Sequence, residues 1–151
     1  MNVILSTDLA DEGLAARQWC AANLHAGDSV VVVVGVHQVG EFLLSMPPFD
    51  TLDGEPALLA KVERDYCGPL TETGFKCGVR LVRHAQGRAV VEVAEKERAD
   101  LIVMGKHPHG RFGGALLGEA ASYVVHHHPC PVLIVPTAPT GRSTASVGGD
   151  A

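Results

Sequence analysis

Two stretches of this 151-residue chain carry residue types able to do chemistry. The first is Thr7-Asp8, a hydroxyl and a carboxylate directly after the apolar run Val3 to Ser6. The second runs from Gly105 through Lys106, His107, Pro108, His109, Gly110 and Arg111 to Gly118-Glu119. It follows the apolar run Leu101 to Met104 and precedes an apolar helical pattern. A Gly-rich loop between a strand end and a helix start is where α/β proteins hold phosphates, because the helix N-terminus offers unpaired N–H groups and a positive dipole end. A carboxylate at the end of a neighbouring strand suits a ligand contact, and it could equally cap the following helix.

Other reactive groups point elsewhere. His126, His127 and His128 are consecutive, so on a helix they diverge by about 100° each and do not converge on one ion. Their position at a helix C-terminus suits imidazole against the negative dipole end. His107 and His109 could chelate from a loop, but no acidic or Cys partner lies nearby in sequence. Ser6 and Ser122 lack a nucleophile elbow. The four cysteines, Cys20, Cys67, Cys77 and Cys130, have no CxxC spacing and read as free thiols. No metal site follows from these residues.

The elements that position the two stretches alternate. Val3 to Ser6 reads as a central strand. A helix follows from about Leu9 to Glu12 onward, with Gly13, Ala16, Cys20 and Leu24 at helical spacing and Gly27 as its C-cap. Ser29 to Val36 contains five consecutive valines, a β-branched run expected of a strand buried on both faces. His37 to Gly54 is a long connection without a period and reads as a surface insertion. A helix over Glu55 to Thr73 has Leu59, Val62, Tyr66 and Leu70 as its stripe, and Gly68-Pro69 should split it. Cys77 to Arg83 alternates Val79 and Leu81 with arginines and reads as an edge strand. After the turn His84 to Gly87 come a helix over Arg88 to Arg98 and a strand over Ala99 to Met104. A last helix carries Leu117, Ala120, Ala121 and Val124, and a last strand spans Val132 to Val135.

Five strands alternating with four helices, joined by right-handed crossovers, give a doubly wound parallel α/β sheet of order 3-2-1-4-5. The chain then reverses direction between strands one and four, and that switch point is the default ligand crevice. The expected division is one domain over residues 1–136 and a disordered tail over 137–151, rich in Gly, Ser, Thr and Pro.

Composition narrows the function. Net charge is −5 and no Lys/Arg run is present, which argues against nucleic acid. No stretch reaches the roughly 18 apolar residues of a membrane span, and Asp8 interrupts any signal-peptide core, so a cytoplasmic protein is expected. A flavodoxin needs a hydroxyl-rich phosphate loop after strand one, where Asp8 to Glu12 is acidic. A receiver domain needs an Asp after strand three, where His84 to Gly87 stands. An ATP-pyrophosphatase needs a Ser-Gly-Gly loop, which is absent.

Over residues 2 to 136 the chain resembles the universal stress protein family. The residues that carry the likeness are strand one ending in Asp8, Ala99-Asp-Leu-Ile-Val-Met-Gly105, Cys130-Pro-Val-Leu-Ile-Val-Pro136, and the spacing from Gly105 to Gly118. The resemblance implies a flavodoxin-like, adenine-nucleotide-α-hydrolase-like sheet. It also implies a homodimer paired through Val132, Leu133, Ile134 and Val135. In ATP-binding members the loop reads Gly, two residues, Gly, nine residues, then Gly with Ser or Thr. Gly105 and Gly118 match, whereas Pro108 and Glu119 depart. Pro108 has no N–H and cannot take positive φ, so Gly110 would have to supply a shifted nest. Glu119 puts a carboxylate where a phosphate should sit; two like charges about 4 Å apart cost roughly 1 to 4 kcal/mol. That weakens binding by about tenfold to a thousandfold. Lys106, His107, His109 and Arg111 act in the opposite direction.

The resemblance points to Thr7, Asp8 and the Val36 backbone near the nucleoside. It points to Gly105 and Gly118 around the phosphates, and the residues themselves add His107, Gly110 and Glu119 to the candidate site. The expected ligand is ATP held weakly, with Mg only as its companion. The expected role is a stress-response regulatory module rather than an enzyme. The alternative is an ATP-binding, nucleotide-gated switch with slow hydrolysis or phosphate transfer.

Overall fold

A computed structural model describes residues 1–36, 54–106 and 118–137. Within them, β1 (Asn2–Ser6), β2 (Ser29–Gly35), β3 (Lys76–Val82), β4 (Leu101–Gly105) and β5 (Val132–Val135) form one five-stranded sheet. Its order is β3-β2-β1-β4-β5, and every neighbouring pair is parallel, as the sequence predicts. The helices are α1 (Asp11–Asn23), α2 (Gly54–Val62), α3 (Gly68–Glu72), α4 (Gln86–Lys96) and α5 (Glu119–His127).

Strand pleating divides the core in two. Val3 and Leu5 of β1 and Val30, Val32 and Val34 of β2 pack with Ala16 and Cys20 of α1 and with Leu58, Val62, Tyr66 and Leu70. On the other face Ile4, Val33, Ile102 and Met104 pack with Val90, Val93 and Ala94 of α4 and with Ala121 and Val124 of α5. The valine run is thus buried from both sides. The sheet edge at β3 is half-buried, with Arg80 exposed.

The long second helix is split, for the reason its sequence suggests. Pro69 has no N–H to give to the carbonyl four residues back, that of Asp65. The backbone widens into a π turn over Glu63–Cys67, and the Gly68 N–H bonds to the Glu63 carbonyl. The released Asp65 carbonyl accepts the Arg17 guanidinium from α1. This turn sets Tyr66 facing inward.

Three local expectations need correction. Helix α1 ends at Leu24, whose extended backbone donates its N–H to the Cys20 carbonyl at 3.0 Å. Gly27, at φ +96°, sits three residues beyond, in a turn where its N–H reaches the Gly74 carbonyl. Leu58 rather than Leu59 is the buried residue of α2, since it lies four before Val62 on the inward face. Gln86 and Gly87 belong to α4 and not to a turn, and both are buried. The predicted tail, apart from Thr137, and the connection from His37 to Asp53 lie outside the described residues, as does Leu117.

Candidate functional site

At the carboxyl ends of β1 and β4 the sheet opens into a cavity of about 200 Å³. This is the switch point of the topology. Ser6, Thr7 and Asp8 line it from β1, and Met104, Gly105 and Lys106 from β4. Glu12 and Gly13 reach it from the first turn of α1, Gln86 from the start of α4, and Gly118 to Ala121 from the start of α5. Three helix N-termini therefore border one space, and each contributes partial positive charge.

The β1 side is tightly organised. Thr7 Oγ1 lies 2.6 Å from Tyr66 Oη and accepts the Leu9 N–H at 2.9 Å. Asp8 Oδ1 accepts the Ala10 N–H at 3.0 Å. Ala10 is the N-cap of α1 and has no side-chain cap, so Asp8 closes an Asx turn ahead of the helix rather than capping it. Leu9 takes φ +72°, a left-handed conformation uncommon for a non-glycine residue. These bonds hold that strained turn in place. Gly13 has to be bare, because a Cβ there would press on the Thr7 and Tyr66 hydroxyls. Burial pushes the Tyr66 phenol above its ordinary value, the hydrogen bond with Thr7 works against that, and the charge of Asp8 adds to the rise.

Gly105 serves a similar purpose between β4 and α1. A Cβ at this position would collide with the Glu12 main chain, so glycine lets α1 settle directly on the strand end. That approach brings Glu12, itself buried, to the cavity wall. Among the described lining residues the formal charges are the carboxylates Asp8, Glu12 and Glu119 against the single ammonium of Lys106. On the α5 side Gly118 is the N-cap without a side-chain cap, and Glu119 opens the helix.

Five of the residues expected from the sequence, Thr7, Asp8, Gly105, Gly118 and Glu119, therefore line one cavity. Val36 is buried just past β2 and is not among the lining residues. His107 and Gly110, with Pro108, His109 and Arg111, lie outside the described residues. Ser6, Glu12, Gly13 and Gln86 are not legible as site residues in the sequence. Glu12 reads as a dipole partner for α1, Gly13 as a core position, and Gln86 as part of a polar turn. Only the sheet topology brings them to the same crevice.

The histidines at the C-terminal end of α5 behave as their position suggests. Nδ1–H of His126 donates to the Ser122 carbonyl at 2.7 Å, that of His127 to Tyr123 at 2.9 Å, and that of His128 to Cys130 at 3.1 Å. Among the described residues no group of three His, Cys, Asp or Glu side chains is placed to hold a metal ion. Nor is any described helix long and apolar enough to cross a membrane.

Comparison with known proteins agrees with this architecture. The model of the Universal stress protein family matches residues 1–136. The "Universal stress protein in QAH/OAS sulfhydrylase 3′region" of Thermus aquaticus is 28% identical over 135 residues, covering 89% of this chain and 97% of its own. Among solved structures, a universal stress protein in complex with cAMP superposes with a TM-score of 0.60 at 24% identity, covering 91% of this chain and 98% of its own. A universal stress protein family protein from Arabidopsis thaliana with AMP bound gives 0.61 at 12% identity, covering 96% and 97%.

Proposed function

The chain belongs to the universal stress protein family, and we propose that it works as a cytoplasmic, homodimeric stress-response module that senses adenine nucleotides of low charge and holds ATP only weakly. One observation carries the ligand reading: among the described residues lining the switch-point cavity, Glu119 opens α5 and sets a carboxylate at the helix N-terminus where a phosphate would sit. Each added phosphate increases the repulsion, and the interaction strengthens where water is displaced. A mononucleotide or cyclic nucleotide presents less negative charge than a triphosphate. Two solved relatives hold such ligands, cAMP in one and AMP in the other. The Gly105 and Gly118 frame is retained, so the crevice keeps the outline of a nucleotide site.

The dimer reading rests on β5. It is the outer strand of the sheet, and Val132, Leu133 and Ile134 are only half-buried on it. An apolar edge strand is a template for pairing with a second copy. Replacing both Leu133 and Ile134 with Asp should give monomers in sedimentation velocity, and a dimer that survives would place the interface elsewhere.

Isothermal titration of the protein with AMP, cAMP and Mg-ATP tests the ligand reading. Tighter binding of AMP or cAMP than of ATP supports it. Micromolar binding of ATP, tighter than that of the monophosphates, would favour the nucleotide-gated switch instead.

A further inference from the structure

We propose that Ser6 is a ligand-reading hydrogen-bond donor on the cavity wall, and that Gln86 is the positioning residue that aims it. The proposal rests on the nucleotide reading given above and names one contact within it.

Gln86 is buried at the start of α4, and its amide bridges the ends of β1 and β2. Its Oε1 accepts the Gly35 N–H at 2.6 Å. Its Nε2 donates to the Val33 carbonyl at 2.9 Å and to Ser6 Oγ at 2.9 Å. The Val33 carbonyl also accepts the Thr7 N–H, at 3.2 Å, where the β1–β2 ladder ends. The amide cannot be turned over. Reversed, it would set its NH₂ against the Gly35 N–H and its oxygen against the Val33 carbonyl. Two backbone groups thus fix which end of Gln86 faces Ser6.

The consequence falls on the serine. A hydroxyl has one proton and accepts through its lone pairs. Since Ser6 Oγ accepts from Gln86, its proton is left to donate. No acceptor for that proton is found among the described residues. Ser6 is 5% exposed and lines the cavity, so the cavity is where the proton can point. Among the described lining residues, beside the charged groups Asp8, Glu12, Glu119 and Lys106, Ser6 supplies a neutral donor. A neutral donor suits a ring nitrogen or sugar oxygen of a nucleoside, and a buried donor left unmet penalises a ligand lacking that acceptor. Gly35 is what lets the turn before α4 approach: a Cβ there would lie 2.7 Å from the Gln86 Cα and from the His84 carbonyl oxygen.

The test is a double-mutant cycle on AMP binding, read by calorimetry, with Ser6→Ala, Gln86→Met and the double variant. Melting curves confirm that each is folded, and Ser6→Ala removes so little that it should fold whatever happens at Gln86. Ser6→Ala should weaken AMP about three- to tenfold, the loss of one neutral hydrogen bond. Gln86→Met should weaken AMP when Ser6 is present and change it less than about twofold when it is added to the Ser6→Ala variant. A purely structural Gln86 would cost affinity equally in both backgrounds, and that result overturns its positioning role. Unchanged affinity in Ser6→Ala overturns the donor role. If the wild-type protein binds neither AMP, cAMP nor adenosine, the nucleotide reading itself fails and this contact fails with it.

Discussion

The two rims of the crevice are built on opposite principles. On the β1 rim nearly every polar atom is spoken for: Thr7 with Tyr66 and Leu9, Asp8 with Ala10, Gln86 with Ser6, Val33 and Gly35. Buried networks of this kind are rigid when complete and costly when broken. Among the described residues the α5 rim shows fewer such bonds. Gly118 caps the helix with no side-chain bond, and Glu119 supplies charge at its first turn. On the proposed reading, one rim sets shape and donor pattern, while the other sets which charge can enter. Damage to the first should therefore register as lost stability, and changes to the second as altered selectivity.

The largest expected effect lies where the rims meet α1. Gly105→Val forces a side chain into the Glu12 backbone. Overpacking at a rigid contact should cost about 3 kcal/mol, and for a domain of this size the melting temperature should fall by about 10 °C. An unchanged melt would mean that α1 is not seated directly on β4. Tyr66→Phe comes next. It removes one buried hydroxyl bond and leaves Thr7 with a single partner, for a loss of about 1 kcal/mol in urea unfolding. Glu119→Ser should lower stability by less than about 1 kcal/mol, since only a carboxylate at a helix N-terminus is lost. A loss as large as that at Tyr66 would erase the contrast between the rims.

The smallest effect serves as a control at the opposite end of the sheet. Asp28 accepts the His25 N–H and pairs with the Met1 ammonium. The His25 backbone bond first, then the bond from the terminus, holds its carboxyl below the ordinary 3.8. A depressed carboxylate stabilises the fold at pH values above its unfolded value and loses that contribution as pH falls through the folded one. Asp28→Asn should therefore lower the melting temperature slightly at pH 7, and the difference should vanish in acid below that value. Nucleotide binding should not change.

Much of this molecule is legible in its sequence, for identifiable reasons. The valine run and the alternation of apolar strands with helical stripes report burial, and burial fixes the order of the sheet. Gly68-Pro69 announces the broken helix, because a missing N–H has a local consequence. The site is legible only in part. Thr7, Asp8, Gly105, Gly118 and Glu119 stand at strand ends and a helix start, where chemistry is expected. Gln86 and Ser6 are eighty residues apart in the chain and are joined by a tertiary hydrogen bond, for which no local pattern exists. Glu12 is acidic in a first helical turn, which local reasoning assigns to the dipole. Its burial at the cavity wall follows from the close approach that Gly105 permits.

The central claim is that carboxylates on this wall select against polyphosphate. Its most direct test is the ratio of ATP to AMP dissociation constants, measured by calorimetry for the wild type and for Glu119→Ser at constant ionic strength. The claim predicts that wild type favours AMP, and that Glu119→Ser tightens ATP about tenfold or more while AMP changes much less. A ratio that does not move on removing Glu119 would contradict it.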